Sequence, residues 1–452
     1  MQRGFLGGLL GAAAGIAMAS GAQAADLPVK AKPVEYVKIC SAYGAGFYYI
    51  PGTDICLRVG GYVRIDYWVH GGNAAPIFSG GWKTSGLEKT RDNAGSRFFA
   101  RALLINDART NTAYGTLRSY TAIGAQYSSD GGGDGSRSAG DTAVYFEKAF
   151  IQFAGFTFGF TDSFFNYPQL GLYAANVGAP WKWTSVLAYT AQLGNGVSAT
   201  LAFEDAGRTS SQIFGTGSAN VAGVISGQGS GYTDQYIPDI VGNVRVDQSW
   251  GSAQIMAAAH QLRPAIGVAA SDAWGWAIGA GITLKTPQTG AGDNIIISGA
   301  YTKGAVNYTG MSTSPAPNRA VGGYDNPSGG ALVPGMGAEL EVFDLYGSQK
   351  STAWSIGVQG THYWTPSLRS NLAVGYFDFE APSAALAAGF NSGNVVQVGA
   401  NTIWTPVSGL DLGIELMWSR VKADYNPATA QSLITSGSYD VVHGMFRAQR
   451  NY

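Results

Sequence analysis

The stretch AVYFEKAFIQFAGFTFGFTDSFFNYPQLGLYAANVGAPWKW, from Ala143 to Trp183, decides how the chain is read. Phe156, Phe158 and Phe160 alternate with Thr157, Gly159 and Thr161, a period of two that only a strand turns into one apolar face. The preceding run, Val144 to Phe153, is equally rich in aromatic and branched residues, and Ala154-Gly155 between the two predicts a tight hairpin. After Thr161 the alternation stops. The chain then runs through Phe164, Phe165, Tyr167, Pro168 and Tyr173 before the next strand pattern, a loop longer than the roughly 12–15 residues beyond which loops are usually functional. So apolar a loop is costly to leave in water. If the strands close into a wide barrel, its natural place is the interior, as the constriction of a pore.

The rest of the chain is consistent with such a barrel. Arg3, the apolar run Phe5 to Met18 and Ala22-Gln23-Ala24 have the layout of a secretory leader over residues 1–24. A polar, proline-marked arm follows, and residues 25–56 are expected on the periplasmic side, with the barrel over 57–452. No apolar run reaches the roughly 18 residues of a membrane-crossing helix. Charged residues make up 13% of the chain, against roughly 25% in ordinary domains. Glycine numbers 65 and aromatic residues reach 12%, a composition that suits a membrane β-barrel; a secreted β-sandwich or β-helix shares some of it. A net charge of −1 gives no sign of a nucleic-acid partner. Cys40 and Cys56 are the only cysteines, and in an exported chain a disulfide is their expected state. Neither has His or Cys neighbours at metal-ligand spacing.

Alternation predicts strands near 57–70, 95–109, 112–127, 141–153, 156–163, 182–192, 196–206, 237–249, 251–263, 272–285, 292–304, 350–364, 368–380, 393–405, 410–422 and 438–452. Connections after even-numbered strands are short, such as Ala154-Gly155 and Trp250-Gly251. Those after odd-numbered strands are long and rich in Gly, Ser, Asn and Pro, the ninth being the shortest. Short periplasmic turns on one rim, long external loops on the other and an even strand count predict an all-β, 16-stranded antiparallel transmembrane β-barrel. Its third loop, 162–181, folds inward.

In the first strand Val59, Val63, Ile65, Tyr67 and Val69 share one face, and Arg58, Tyr62, Arg64 and Asp66 the other; in the fifteenth, Leu410 to Trp418 alternate with Asp411, Gly413, Glu415 and Ser419. A barrel in lipid turns the apolar set outward and the charged set into a wet lumen. Trp354, Trp364, Trp404 and Trp418 suit aromatic girdles. The second and fourth strands sort poorly, because adjacent Glu147 and Lys148 must face opposite ways, so part of the outer wall is expected to contact another subunit. Arg58, Arg64, Arg97, Arg101, Arg118 and Lys148 are the candidate basic wall, where lumenal charge would sort ions. Asp66, Asp162, Tyr167 and Glu415 complete the candidate pore lining.

The block VKICSAYGAGFYYIPGTDICLRVGGYVRIDY, Val37 to Tyr67, resembles the start of the alphaproteobacterial, rhizobial-type general porins. AFIQFAGFTFG (Ala149 to Gly159), the following Thr-Asp-Ser-Phe-Phe and the close HGMFRAQRNY are similar to the same family. The resemblance implies a sixteen-stranded barrel, a homotrimer in outer-membrane lipid, passive passage of ions and small hydrophilic solutes, and an inward third loop. Phe446 and the terminal aromatic Tyr452 are similar to the signal read by the barrel-assembly machinery. One departure stands out. Many trimeric porins carry several acids on that loop, whereas here Asp162, at its edge, is the only one.

Other chemistry is poorly supported. Asp130-Gly-Gly-Gly-Asp134 lacks the closing bidentate acid of a calcium loop, and no Gly run links a strand to a helix as a phosphate loop would. No metal or cofactor is expected. Of the four histidines, His362 shares the outward phase of Trp354, Ile356, Val358 and Trp364 and is the one candidate for a surface Ser-His-acid site. Three functions therefore remain open: a general diffusion porin, a substrate-specific channel for a sugar or an anion, and a plugged barrel serving as enzyme or anchor.

Overall fold

A computed structural model describes residues 38–72, 96–128, 141–168, 171–173, 178, 180–208, 211, 213–216, 231–233, 236–311, 342–387, 392–424 and 437–452. The leader over 1–24, the arm up to residue 37 and the Asp130–Asp134 loop lie outside them. Sixteen long strands form the wall: β1 (Cys56–Gly72), β2 (Ser96–Thr112), β3 (Gly115–Ser128), β4 (Asp141–Phe153), β5 (Phe156–Asp162), β6 (Trp183–Gly194), β7 (Val197–Glu204), β8 (Asp239–Gln248), β9 (Gly251–Leu262), β10 (Ala273–Lys285), β11 (Asn294–Lys303), β12 (Thr352–Thr365), β13 (Leu368–Glu380), β14 (Ser392–Val407), β15 (Leu410–Asp424) and β16 (Gly437–Asn451). Each pairs antiparallel with the next, and β1 pairs with β16 from Tyr62↔Asn451 to Gly72↔Val441. The sheet is closed. Closure matters because a sheet edge in lipid leaves amides and carbonyls without partners.

The two faces have opposite chemistry. Val63, Ile65, Phe98, Leu104, Ile278, Ile356, Leu372, Ile414 and Leu416 are exposed, while Arg64, Asp66, Arg101, Asp107, Glu204, Gln254, Asn371, Asn401, Glu415 and Arg447 are buried. A soluble domain reverses this sorting. A lipid-facing wall around a polar interior requires it. Trp274, Trp276, Trp354, Trp364 and Trp404 are exposed on the outside near strand ends, and Trp418 donates its indole N–H to Asp440. No described helix is long and apolar enough to cross a membrane.

Two expectations need correction. The register of β3 against β4 slips between Ala122 and Ile123, which pair with Lys148 and Phe146, leaving Glu147 as the extra residue of a bulge. Val144 and Phe146 before it, and Ile151 after it, are all exposed on the outside. The bulge resets the alternation, so Glu147 and Lys148 both turn to the lumen instead of opposite ways. β2 needs no repair: Phe98 and Leu104 face out, Phe99, Arg101, Leu103 and Asp107 face in, and Leu103 is simply a lumenal leucine.

β5 spans 7 residues, which at a tilt of about 40° rises only about 18 Å. That is less than the apolar band of about 25 Å. The chain therefore leaves the wall at Asp162 within the membrane depth, which is permitted only toward the lumen. The backbone stays paired as it departs: Ser163 donates to the carbonyl of Lys182, and Asp205, after β7, donates to that of Ser185.

External loops fill part of the interior. Ile213–Phe214 runs parallel to Leu345–Tyr346, itself paired with Gln349–Lys350, so two loops far apart in sequence share a small sheet. Phe214, Val306, Met311 and Phe343 bury the lumenal residues Phe377, Phe379, Val395 and Val421 of β13–β15. At the opposite rim Tyr48–Tyr49 pairs with Leu57 and Cys56, and Cys40 is bonded to Cys56 with Cα atoms 5.9 Å apart. The bridge spans a sequence separation of 16, and closing a loop of that length is worth roughly 3 kcal/mol in the chain-entropy account. Reduction should therefore lower the unfolding midpoint of detergent-extracted barrel while the sheet still forms; an unchanged midpoint would mean that the bridge stabilises nothing.

Candidate pore and its constriction

The loop between β5 and β6 enters the lumen and touches widely separated parts of the wall. Phe164 donates its amide to Glu204 of β7 (2.7 Å) and accepts from Asn243 of β8 (2.6 Å), while Gln254 of β9 donates to the carbonyl of Asn166 (3.0 Å). The Tyr167 hydroxyl donates to the carbonyl of Ser252 (2.9 Å), and its oxygen lies 3.1 and 3.0 Å from the hydroxyls of Ser252 and Thr283. Gly281 makes room for that ring, since a Cβ there would sit 2.3 Å from it. Further on, the carbonyl of Gly171 accepts from Asn371 and Asn401, and Tyr173 donates its amide to Glu415 of β15 (2.5 Å). A Cβ at Gly413 would meet the Tyr173 hydroxyl at 2.1 Å. The loop thus reaches from β7–β10 to β13–β15. It follows that arc of the wall and leaves β1–β5 facing it across the lumen.

Its root is tied to the external loops by buried charge. Asp239 of β8 takes the Nδ1 side of His260 (2.7 Å) and the hydroxyl of Tyr308 (2.6 Å). Asp344 accepts from the hydroxyl of Tyr232 (2.8 Å) and from the amides of Ser211 (2.7 Å) and Val306 (2.8 Å). Tyr232 also meets Nε2 of His260 at 3.1 Å. A tyrosine has one proton to give, so with that proton on Asp344 the pattern is satisfied when both ring nitrogens of His260 carry protons. Lys182 lies 5.2 Å from the Tyr308 ring centre.

On the facing wall, β1–β5 and β16, the candidate basic residues appear as paired groups. Arg447 holds Asp66 through two bonds of 2.7 Å, and Arg64 approaches the same acid at 3.5 Å; all three are buried. Arg101 donates to Gln126 (2.8 Å) and lies over Tyr145 and Phe99. Arg118 and Arg109 both grip Asp107 bidentately, with N···O distances from 2.8 to 3.0 Å. Arg118 is also flanked by the stacked rings of Tyr120 and Phe150. Lys148 pairs with Asp162. Arg58 lies across the ladder from Asp107. Rather than standing singly in water, these charges form layers; Arg109, Arg118, Lys148 and Asp162 keep solvent exposure. Nothing is described of the Arg97 side chain, although its backbone lies in β2.

Tyr167 and Glu415, expected to line the constriction, are fully buried and hold the loop to the wall. Phe446 faces out opposite Tyr67, and Tyr452 exchanges two 3.1 Å backbone bonds with Gly61. Asp107, Arg109, Arg447, Asp239 and Asp344 escaped sequence reasoning, because only register and loop folding bring them together. His362 bonds Asp293 at 2.6 Å, and Ser370 lies across the ladder from it. The Ser370 hydroxyl instead meets Trp364 Nε1 and Thr402, each at 2.9 Å. Among the described residues no hydrogen bond joins that serine to the histidine, so the nucleophile–base contact of a triad is missing. No described cluster of three or more His, Cys, Asp or Glu could hold a metal.

Tyr167→Phe should leave the loop's buried anchors at Ser252 and Thr283 without their partner, costing ~1–3 kcal/mol, read as a lower unfolding midpoint. Asp344→Asn removes the charge that three donors share; frequent brief closures in single-channel records are expected, and a record as quiet as that of the unaltered protein would show that the latch does not hold the loop.

The Porin subfamily profile matches residues 26–445. Porin Omp2b of Brucella melitensis biotype 1 is 35% identical over 252 residues, covering 54% of this chain and 62% of that protein. Porin Omp2b of Brucella abortus (strain 2308) is 35% identical over 256 residues with the same coverage. The match thus spans less than two thirds of these relatives' length. The outer membrane channel DcaP of Acinetobacter baumannii has the same fold, with a TM-score of 0.63 at 19% identity over 89% of this chain and 99% of that one. With this fold and a profile match over nearly its whole length, the chain belongs to the Porin subfamily and is a β-barrel of the bacterial outer membrane.

Proposed function

We propose that this chain forms a general diffusion porin, a water-filled channel through which ions and small hydrophilic solutes pass passively, assembled as a homotrimer. The observation that carries the reading is the inversion of the barrel. Its apolar residues face lipid and its charged residues face the interior, where Arg109, Arg118, Lys148 and Asp162 keep solvent exposure opposite a tethered loop. A lumen packed dry would leave the water-facing donors of these partly exposed guanidiniums, which the single carboxylate of Asp107 cannot all satisfy, without partners. The loop sets the width and the wall sets the field. Solutes meet paired charges whose transverse field sorts ions without binding them tightly. Family membership and the Omp2b relatives support the same reading.

Liposome swelling tests it. Neutral sugars of increasing size should enter at rates that fall smoothly with size, show no saturation and make no distinction between stereoisomers. Saturable or stereoselective entry would favour a substrate-specific channel, and no entry would mean a plugged barrel.

A further inference from the structure

The disulfide-closed segment before β1 packs on lumenal arginines, a placement its position at the rim does not require. Cys56 and Arg58 share the inward phase of β1, and Cys56 pairs with Arg109 of β2. Phe47, 2% exposed, belongs to the small apolar cluster of the two cysteines. The Arg58 guanidinium lies 5.3 Å from its ring centre, and that of Arg109 4.9 Å. Tyr43 adds a second ring, 5.7 Å from Arg109. Gly46, at φ +86°, takes a backbone conformation that residues with a side chain rarely adopt, and the turn it makes passes beside the Arg58 stem. Arg109 and Arg118 share one carboxylate, Asp107, and no acid among the described residues pairs with Arg58. Three guanidiniums thus meet one acid at the periplasmic mouth. Lys38 and Asp54 on the segment itself offset each other.

We propose that this segment positions a cationic collar at the periplasmic mouth, with Phe47 holding Arg58 and Arg109 on the lumen side and the Cys40–Cys56 bridge holding Phe47. The proposal rests on the chain being an open pore. A free arginine samples many rotamers, and its charge is spread over the space they cover. One held over an aromatic face keeps its charge at a fixed point, and a fixed ring of charge at a pore mouth selects ions. Phe47 is therefore a positioning residue for selectivity, acting through the arginines. Anions should be favoured at this end of the pore, in a protein whose constriction loop carries almost no charge.

The test is the reversal potential in a planar bilayer under a potassium chloride gradient, for the unaltered protein, Phe47→Leu, Cys40→Ser with Cys56→Ser, and Arg58→Gln. Heat-modifiable migration in gels establishes that each barrel is folded. Phe47→Leu keeps the apolar volume and loses the ring face. The expected result is a lower chloride-to-potassium permeability ratio in all three variants. A shift in Arg58→Gln alone would overturn the positioning role, and no shift in any variant would overturn the collar; in both cases the unaltered protein still conducts and the pore reading stands. A silent unaltered protein would defeat the pore reading and the collar with it. If the double cysteine variant does not assemble, Phe47→Leu alone decides.

Discussion

Everything in this molecule depends on the hydrogen-bonded ladder between β1 and β16. In the apolar core of a bilayer an open sheet would present two edges of unsatisfied amides and carbonyls, each costing several kcal/mol. Pairing from Tyr62↔Asn451 to Gly72↔Val441 removes both edges. With an even number of strands in a simple meander, first and last run in opposite directions, so the closing pair has the same antiparallel geometry as its neighbours. The terminal Tyr452 extends that seam by bonding Gly61. Below it, where β16 has ended, Tyr48–Tyr49 pairs with Cys56 and Leu57 and continues the wall. The disulfide segment is therefore seated at the rim by the same ladder that closes the barrel.

Closure creates an interior, and the interior decides where irregular backbone can go. β5 is too short to cross the apolar band, so its continuation must turn inward; once inside, it needs partners for its own polar groups. Wall side chains supply them: Glu204, Asn243 and Gln254 on one side, Asn371, Asn401 and Glu415 on the other. Several lumenal polar residues thus bind the chain's own loop before they could bind any solute. Glycines at 281 and 413 serve the same end, leaving space for Tyr167 and Tyr173. The buried Asp239 and Asp344 network then fixes the root of the loop to external loops that already fill the lumenal face of β13–β15.

Much of this was legible in the sequence. The alternation at Phe156, Phe158 and Phe160 marks β5, and the sorting of short turns and long loops gives the strand count, because both follow from a two-residue period and a two-sided membrane. The cysteine pair was legible from compartment alone. The bulge at Glu147 was not, since an inserted residue changes register without changing composition; adjacent opposite charges looked like opposite faces. The charge hubs were hidden for a different reason. Asp107 becomes a hub only when register sets it beside Arg118, and Tyr173 meets Glu415 across 242 residues of chain. Tyr167 reads in the sequence as a loop aromatic lining the pore, yet its role as an anchor depends on Gly281, which carries no signal of its own.

An open, water-filled passage beside the tethered loop is what single-channel recording in planar bilayers reads. Detergent-extracted, heat-modifiable protein should insert in large steps, conduct ohmically in proportion to bulk salt, and close in threes. A silent membrane from folded protein, or currents that saturate at low salt, would contradict the account and return the barrel to the plugged or substrate-specific readings.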